Sequence, residues 1–304
     1  ENLYNNNSEK LGAVNQDGLG IKNIYNNYLY IQKYLEKALE TSHKFETFAL
    51  FLMKRVVMVN LDVGQTDVPM VFEVINDRGE KLKPYEILKG KLLGQIDKGE
   101  VKKYLPFWDD PIHKIQALEK DDSGVDYFLS NYFKAKFTDT RAENAEFDKE
   151  YHKTIFDAKW NEKIQLKLNP EKVKEFLKNN FRYYIKLYIK IIEEIKREEK
   201  APSPYLYFNS LNEQERQVLL IFSACEVDDP AEDEKILLIS KLLDRHFTLL
   251  NLNGCYDSNE FTEELIKINT KIRNQPSEII KSVFDEQLIS YICHYILNYI
   301  PYIL

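Results

Sequence analysis

The chain has 304 residues, 44% hydrophobic and 30% charged, with a net charge of −7. That balance is globular rather than disordered, and the acidic total argues against a uniformly basic nucleic-acid coat while leaving room for a local basic face. Cys225, Cys255 and Cys293 are odd in number and form no C-x-x-C pair, so they point away from a disulfide framework or a zinc knuckle and fit a reducing, cytoplasmic setting.

From the N-terminus, "ENLYNNNSEK" is polar and reads as a loop. Ile21, Ile24, Tyr25, Tyr28, Ile31, Leu35 and Leu39 then recur at three-four spacing and predict a first helix, which "FETFALFLMK" continues. In "RVVMVNLDV" the consecutive β-branched residues suit a buried strand near residues 55–63. "VPMVFEVIN" puts Val68, Val71, Phe72 and Ile75 on one helical face. Gly79 allows a sharp turn, and Pro84 opens a second helix whose Leu82, Ile87, Leu88, Leu92 and Leu93 face inward.

"KYLPFWDDP" reads as a connection into a short helix near residues 110–119, because its prolines break helices. Two aromatic-rich helical segments follow. Asn169 caps, and Pro170 starts, what reads as the longest helix, with Val173, Phe176, Leu177, Ile185, Tyr188, Ile191, Ile192 and Ile195 as its apolar stripe. "APSP" at 201–204 marks a sub-boundary. Ser210 with Glu213, and Asp257 with Glu260, have capping-box spacing, and "EVDDPAEDE" reads as a solvated loop between helices. No apolar run reaches the roughly 18 to 20 residues that span a bilayer. "FALFLMKRVVMV" is cut by Lys54 and Arg55, and "SYICHYILNYIPYIL" carries His294 and Asn298, so both read as core and no membrane partner is expected.

The chemistry concentrates at the turn between the two helices around residue 79. Asn76 and Arg78 lie there, near the unpaired N–H groups of the second helix's first turn, a place suited to a phosphate. The structural alternative is that Asn76 caps the first helix and Arg78 pairs with Glu86 or Asp77. Between Arg78 and Lys103 eight basic residues stand against four acidic ones. Lys81, Lys83, Lys89 and Lys91 on this stretch suit a nucleic-acid backbone, or else form a solvated helix face. The five histidines show no H-x-x-x-H or H-E-x-x-H spacing. His246 beside Asp244, and Cys293 beside His294, read as packed or solvent-facing rather than as ligands. No catalytic residue and no metal site is assigned.

The pattern F-x-x-x-N-x-R-G-x-x-L-x-x-x-x-[IL]-x-K, realised by Phe72, Asn76, Arg78, Gly79, Leu82, Ile87 and Lys89, resembles the second signature block of a prokaryotic defence family. That family contains the GmrS and GmrD subunits of modification-dependent, type IV-like restriction endonucleases. The resemblance implies a ParB/sulfiredoxin-like nucleotide-binding domain, a nucleoside triphosphate with Mg²⁺, and cleavage of modified phage DNA. It also implies a partner subunit or an additional nuclease domain, with Asn76, Arg78 and Gly79 at the nucleotide. The family's first block, Asp-Gly-Gln-Gln-Arg, is not matched by "QDGLG", and no H-x-x-P or H-N-H arrangement appears. We therefore expect a fragment or a degenerate member without a complete NTPase or nuclease motif. The expected fold is mainly α: a short α+β remnant of the ParB/sulfiredoxin-like domain within residues 1–109, then a multi-helix domain over 110–304. The alternatives are a helical protein–protein scaffold and a salt-dependent nucleic-acid binder.

Overall fold

The computed structural model describes residues 19–60, 62–64, 71, 82–119 and 123–299, with the backbone alone at 19–22 and 290–299. Its contacts divide the chain into two compact units, residues 1–62 and 63–304. Among the described residues the protein is mainly helical.

In the first unit, α1 (Leu19–Ala38) and α2 (Ser42–Arg55) occupy the two segments of helical spacing. Helix α2 ends at Val56, whose backbone is extended (φ −93°, ψ 123°). Residues 56–60 leave the helix as β-branched residues should, yet they join no sheet among the described residues. The strand expected near 55–63 is therefore not shown: Arg55 ends α2, and 56–60 carry no assigned strand. No residue of α2 is buried, and Phe45, Phe51, Met53, Val57 and Met58 are exposed.

In the second unit, the first helix with both ends among the described residues is α3 (Pro84–Leu93). Pro84 sits at the first helical position, where its missing N–H costs nothing. Leu88 and Leu92 are fully buried and Leu93 nearly so. Helix α4 (Lys98–Glu119) runs unbroken through Pro106 and Pro111, so the expected connection there, and the expected boundary at 109/110, fall inside one helix. Each proline forfeits a backbone hydrogen bond. The compensation is a buried face of Tyr104, Trp108, Ile112 and Ile115, with Trp108 stacked on Phe181 at 4.6 Å.

Next come α5 (Ser123–Phe137), α6 (Arg141–Thr154), α7 (Ala158–Ile164) and α8 (Pro170–Phe176). Asn169 caps α8 by accepting from the Lys172 N–H at 3.3 Å. The expected long helix is interrupted by a π turn, Leu177–Phe181, before α9 (Arg182–Lys196). That turn keeps Leu177, Phe181, Tyr184 and Tyr188 all buried.

Residues 201–204 form a tight bend inside the second unit rather than a boundary: Ser203 is buried and its N–H donates to Glu194 at 3.2 Å. Ser210 lies within α10 (Tyr205–Leu211), and the helix expected to start there starts instead at Gln217, as α11 (Gln217–Ala224). Glu213, at φ +56°, ends the pattern that the capping box suggested. Then follow α12 (Glu232–Leu252), α13 (Ser258–Ile272) and α14 (Ser277–Tyr299). Asp257 caps α13 as expected, accepting from the N–H groups of Asn259 and Glu260. Helix α11 is buried on all sides and packs against α5, α12 and α13.

Within "EVDDPAEDE", Asp229 is not solvated. It is buried and paired with Lys235 at 2.7 Å, because its carboxylate also takes the N–H groups of Glu226 and Ala231 and so organises the turn into α12.

Candidate functional site

Asn76, Arg78, Gly79 and Lys81 lie outside the described residues; what the structure describes is how the chain after them enters the helical body. Residues Leu82 and Lys83 lead into α3. The Lys83 N–H donates to the Glu86 carboxylate at 2.9 Å, and the N–H of Tyr85 donates to Oδ1 of Asp126 on α5 at 3.1 Å. The same oxygen accepts the phenol hydrogen of Tyr151 on α6, while Gln116 on α4 donates to the Tyr85 hydroxyl at 3.2 Å. One carboxylate thus ties the first turn of α3 to α5 and α6.

This node borders a cleft of about 460 Å³, lined by Pro84, α5, α6 and the loop at Glu213–Arg216. Asp126, Ser130 and Lys134 face it from α5, four residues apart on one helical side. Across it, Asp148 of α6 accepts from Lys134 at 2.6 Å and from Ser130 at 3.3 Å. Helix α6 is broken at Glu150 (φ −151°, ψ 50°), immediately before Tyr151 and His152, which also line the cleft.

Burial pushes the Asp126 carboxyl above the ordinary carboxylate range, against the lowering effect of its bonds from Tyr151 and Tyr85 and of the Lys83 charge. Burial also pushes the Tyr151 hydroxyl far up, with the Asp126 charge adding to it. The phenol therefore stays protonated and donates. Ser130 is not an activated nucleophile, because the Asp148 oxygen it meets is already held by the Lys134 ammonium. The cleft wall mixes carboxylates with Lys134, Lys149 and Arg216, so it offers no excess of positive charge to a phosphate.

The first-turn N–H of α3 at Tyr85, where sequence placed a possible phosphate, holds the protein's own carboxylate instead. That N–H is therefore not open to a phosphate. Among the described residues no group of three His, Cys, Asp or Glu gathers into a metal site.

Lys89 is paired with Asp109 of α4 at 2.6 Å, and the Lys91 ammonium lies over the Phe156 ring at 5.7 Å. Two positions apart, these lysines point to different sides of α3. Lys83 stands at the helix start, beside Glu86 and near Asp126. His246 is buried on α12 with its Nε2 3.3 Å from a Glu264 oxygen. The side chains of Cys293 and His294 are outside the description. Cys225 is buried, and its thiol is pushed up to about 12 by burial, which leaves it a packing group rather than a reactive one.

Sequence reasoning passed over Asp126, Ser130, Lys134 and Tyr151. The available signal was the run "VDYFLSNYFKAKF", where Asp126, Ser130 and Lys134 form a polar i, i+4, i+8 row on a helix rich in aromatic residues.

Comparison with protein-family models, with curated proteins and with solved structures finds no match to this chain. The family resemblance thus rests on residues 72–89. No helix among the described residues is long and apolar enough to cross a membrane.

Proposed function

We propose that this chain is part of a prokaryotic defence protein of the modification-dependent restriction type. In this reading the joint carrying Asn76, Arg78 and Gly79 contributes to binding a nucleoside triphosphate, and the helical body supports that joint and engages DNA. The observation that supports it is the anchoring of the segment next to the joint. Pro84 starts α3, Leu88 and Leu92 are in the core, and Tyr85 is hydrogen-bonded to two other helices. A binding turn needs a rigid base of this kind, because side chains on a loop hold a ligand only as well as the elements that carry the loop. The nucleotide contacts fall to Asn76, Arg78 and Gly79, since the described start of α3 is filled by Asp126.

Titration of the full chain with ATP, GTP and CTP, each with Mg²⁺, tests the reading. Binding should be present, and Arg78→Ala or Asn76→Ala should weaken it tenfold or more, about the value of one charge-assisted hydrogen bond. Binding indifferent to both changes removes the nucleotide role of the turn. DNA engagement is read separately from affinity against salt: a slope is expected if Lys81, Lys83 and their neighbours meet phosphates, and a flat line removes that part.

A second reading, a protein–protein interaction scaffold, is favoured by α2, whose Phe45, Phe51 and Met53 are exposed although the helix has no buried face. A 14-residue helix is marginal in water without packing. A pure scaffold binds none of the three nucleotides, so the same titration separates the two readings.

A further inference from the structure

The geometry points to Asp126 as a latch, a releasable polar contact between the chain entering α3 and α6, beside the direct packing of those two helices. The inference stands whether or not the preceding joint binds a nucleotide.

Three observations carry it. First, the contact joins distant parts of the chain through one atom: Oδ1 of Asp126 accepts both the Tyr85 N–H at the start of α3 and the Tyr151 hydroxyl on α6. The start of α3 cannot move away from α5 without giving up its share of that oxygen. Second, the contact is held at a cost. Both donors are neutral, and the half-buried carboxylate has given up part of its hydration to meet them. A carboxylate in that position gains water when it lets go, which an apolar contact does not. Third, there is room for release: Asp126 borders the 460 Å³ cleft, so its side chain can turn towards solvent without displacing a core residue.

The receiving end is also placed for a response. Tyr151 directly follows Glu150, where the backbone of α6 is already non-helical (φ −151°, ψ 50°). A helix interrupted at one residue can reorient its two halves more cheaply than a continuous one. Displacement of Tyr85 at the start of α3 therefore reaches the interrupted point of α6 through Asp126 and Tyr151. On the closed side, Gln116 holds the Tyr85 hydroxyl from α4, which keeps the ring in place when the backbone contact opens.

Residue-resolved hydrogen exchange on the full chain tests the latch, with Asp126→Ala, Asp126→Asn, Tyr151→Phe and the Asp126→Ala/Tyr151→Phe pair. Asp126→Ala should raise exchange at the Tyr85 amide by about tenfold, with α12 and α13 unchanged, because losing one buried acceptor opens one local unit. Asp126→Asn keeps an oxygen acceptor and should keep the protection. Tyr151→Phe should raise Tyr85 exchange by a smaller factor, and the pair should raise it by less than the product of the two single changes. Unchanged Tyr85 exchange in Asp126→Ala overturns the latch, as does an equal rise throughout α12 and α13, which would mark ordinary global destabilisation. Full loss of protection in Asp126→Asn overturns it as well, since charge rather than shared acceptance would then be the hold. If Asp126→Ala fails to fold, Tyr151→Phe and Asp126→Asn still decide the question.

Discussion

A buried lysine, Lys235, and a half-buried one, Lys136, show how a charge is kept inside this protein. Lys235 meets Asp229 at 2.7 Å with both side chains almost fully enclosed, and it also donates to the Ala224 carbonyl at 3.0 Å. Burial alone would raise the Asp229 carboxyl, but Lys235 and the N–H groups of Ala231 and Glu226 hold it below the ordinary range. Removing one partner strands the other, so Asp229→Ala should cost about 3 to 5 kcal/mol in urea denaturation at pH 7, whereas Asp229→Leu with Lys235→Met should cost far less. Because the folded-state carboxyl titrates below its unfolded value, the advantage of wild type over Asp229→Ala is present above the ordinary carboxylate range and should shrink as the pH falls through and below it. An advantage that grows on acidification would contradict the assignment.

Lys136 behaves oppositely. Its Nζ reaches the carbonyls of Ser223 and Cys225 at 3.1 and 2.6 Å and the side-chain oxygen of Asn274 at 2.8 Å, yet no carboxylate is among these partners. Burial, helped by the charges of Arg273 and Lys235, pulls its pKa down to about 7. The unfolded chain then binds more protons than the folded one from there up to the ordinary lysine range, so this group's contribution to stability should rise with pH across that window and be flat below it. Comparing wild type with Lys136→Met at pH 6 and pH 9 isolates it. A wild-type stability that falls relative to the variant between those two values would refute the depressed pKa.

At the scale of the element, α4 carries two prolines in its interior because its buried side chains outweigh two lost hydrogen bonds. Pro106 is solvent-exposed, so Pro106→Ala restores a donor without touching the core. It should stabilise the protein by about 1 to 2 kcal/mol, the helix-propensity gain less the added freedom of the unfolded chain. A fall in melting temperature would mean that the proline shapes the helix for its neighbours.

The same helix explains what could be read from the sequence and what could not. Spacing of apolar residues located α1, α2, α3 and α5, and local capping at Asn169 and Asp257 was legible because a cap needs only the residues beside it. Pro106 and Pro111 misled because the tertiary packing of Trp108 overrides a local preference. Ser210 and Glu213 matched a capping box by spacing alone, while the bend that decides the matter depends on α12, whose Ser240 carbonyl accepts from Asn209 at 2.9 Å. Of the site, the row Asp126, Ser130, Lys134 was visible as a pattern. Its partners Tyr85, Asp148 and Tyr151 were not, since nothing local says that residues 85, 126 and 151 meet.

Across the whole molecule, the second unit is held by aromatic packing that joins its early and late helices. Trp108 stacks on Phe181, Phe128 meets Phe181, Tyr188 and Phe222, and Tyr184 meets Phe222. Trp108→Ala should therefore cost about 3 to 5 kcal/mol, read as a fall in denaturation midpoint with little change in slope. A loss below 1 kcal/mol would show that the stack adds little.

Helix α11 has all eight of its residues buried, and the surroundings that bury them come from both directions along the chain: α5 before it, α12 and α13 after it. Its Ser223 donates to the Asn269 carbonyl at 2.7 Å and accepts from the Asn274 N–H at 2.9 Å. During synthesis α11 thus leaves the ribosome as an oily, unsheltered segment and waits until residues beyond 274 have followed it. At ordinary translation rates that wait is on the order of several seconds. Nascent chains stalled between residues 225 and 257 should be held by chaperones or cleaved by proteases, while those stalled well past residue 299 should resist both.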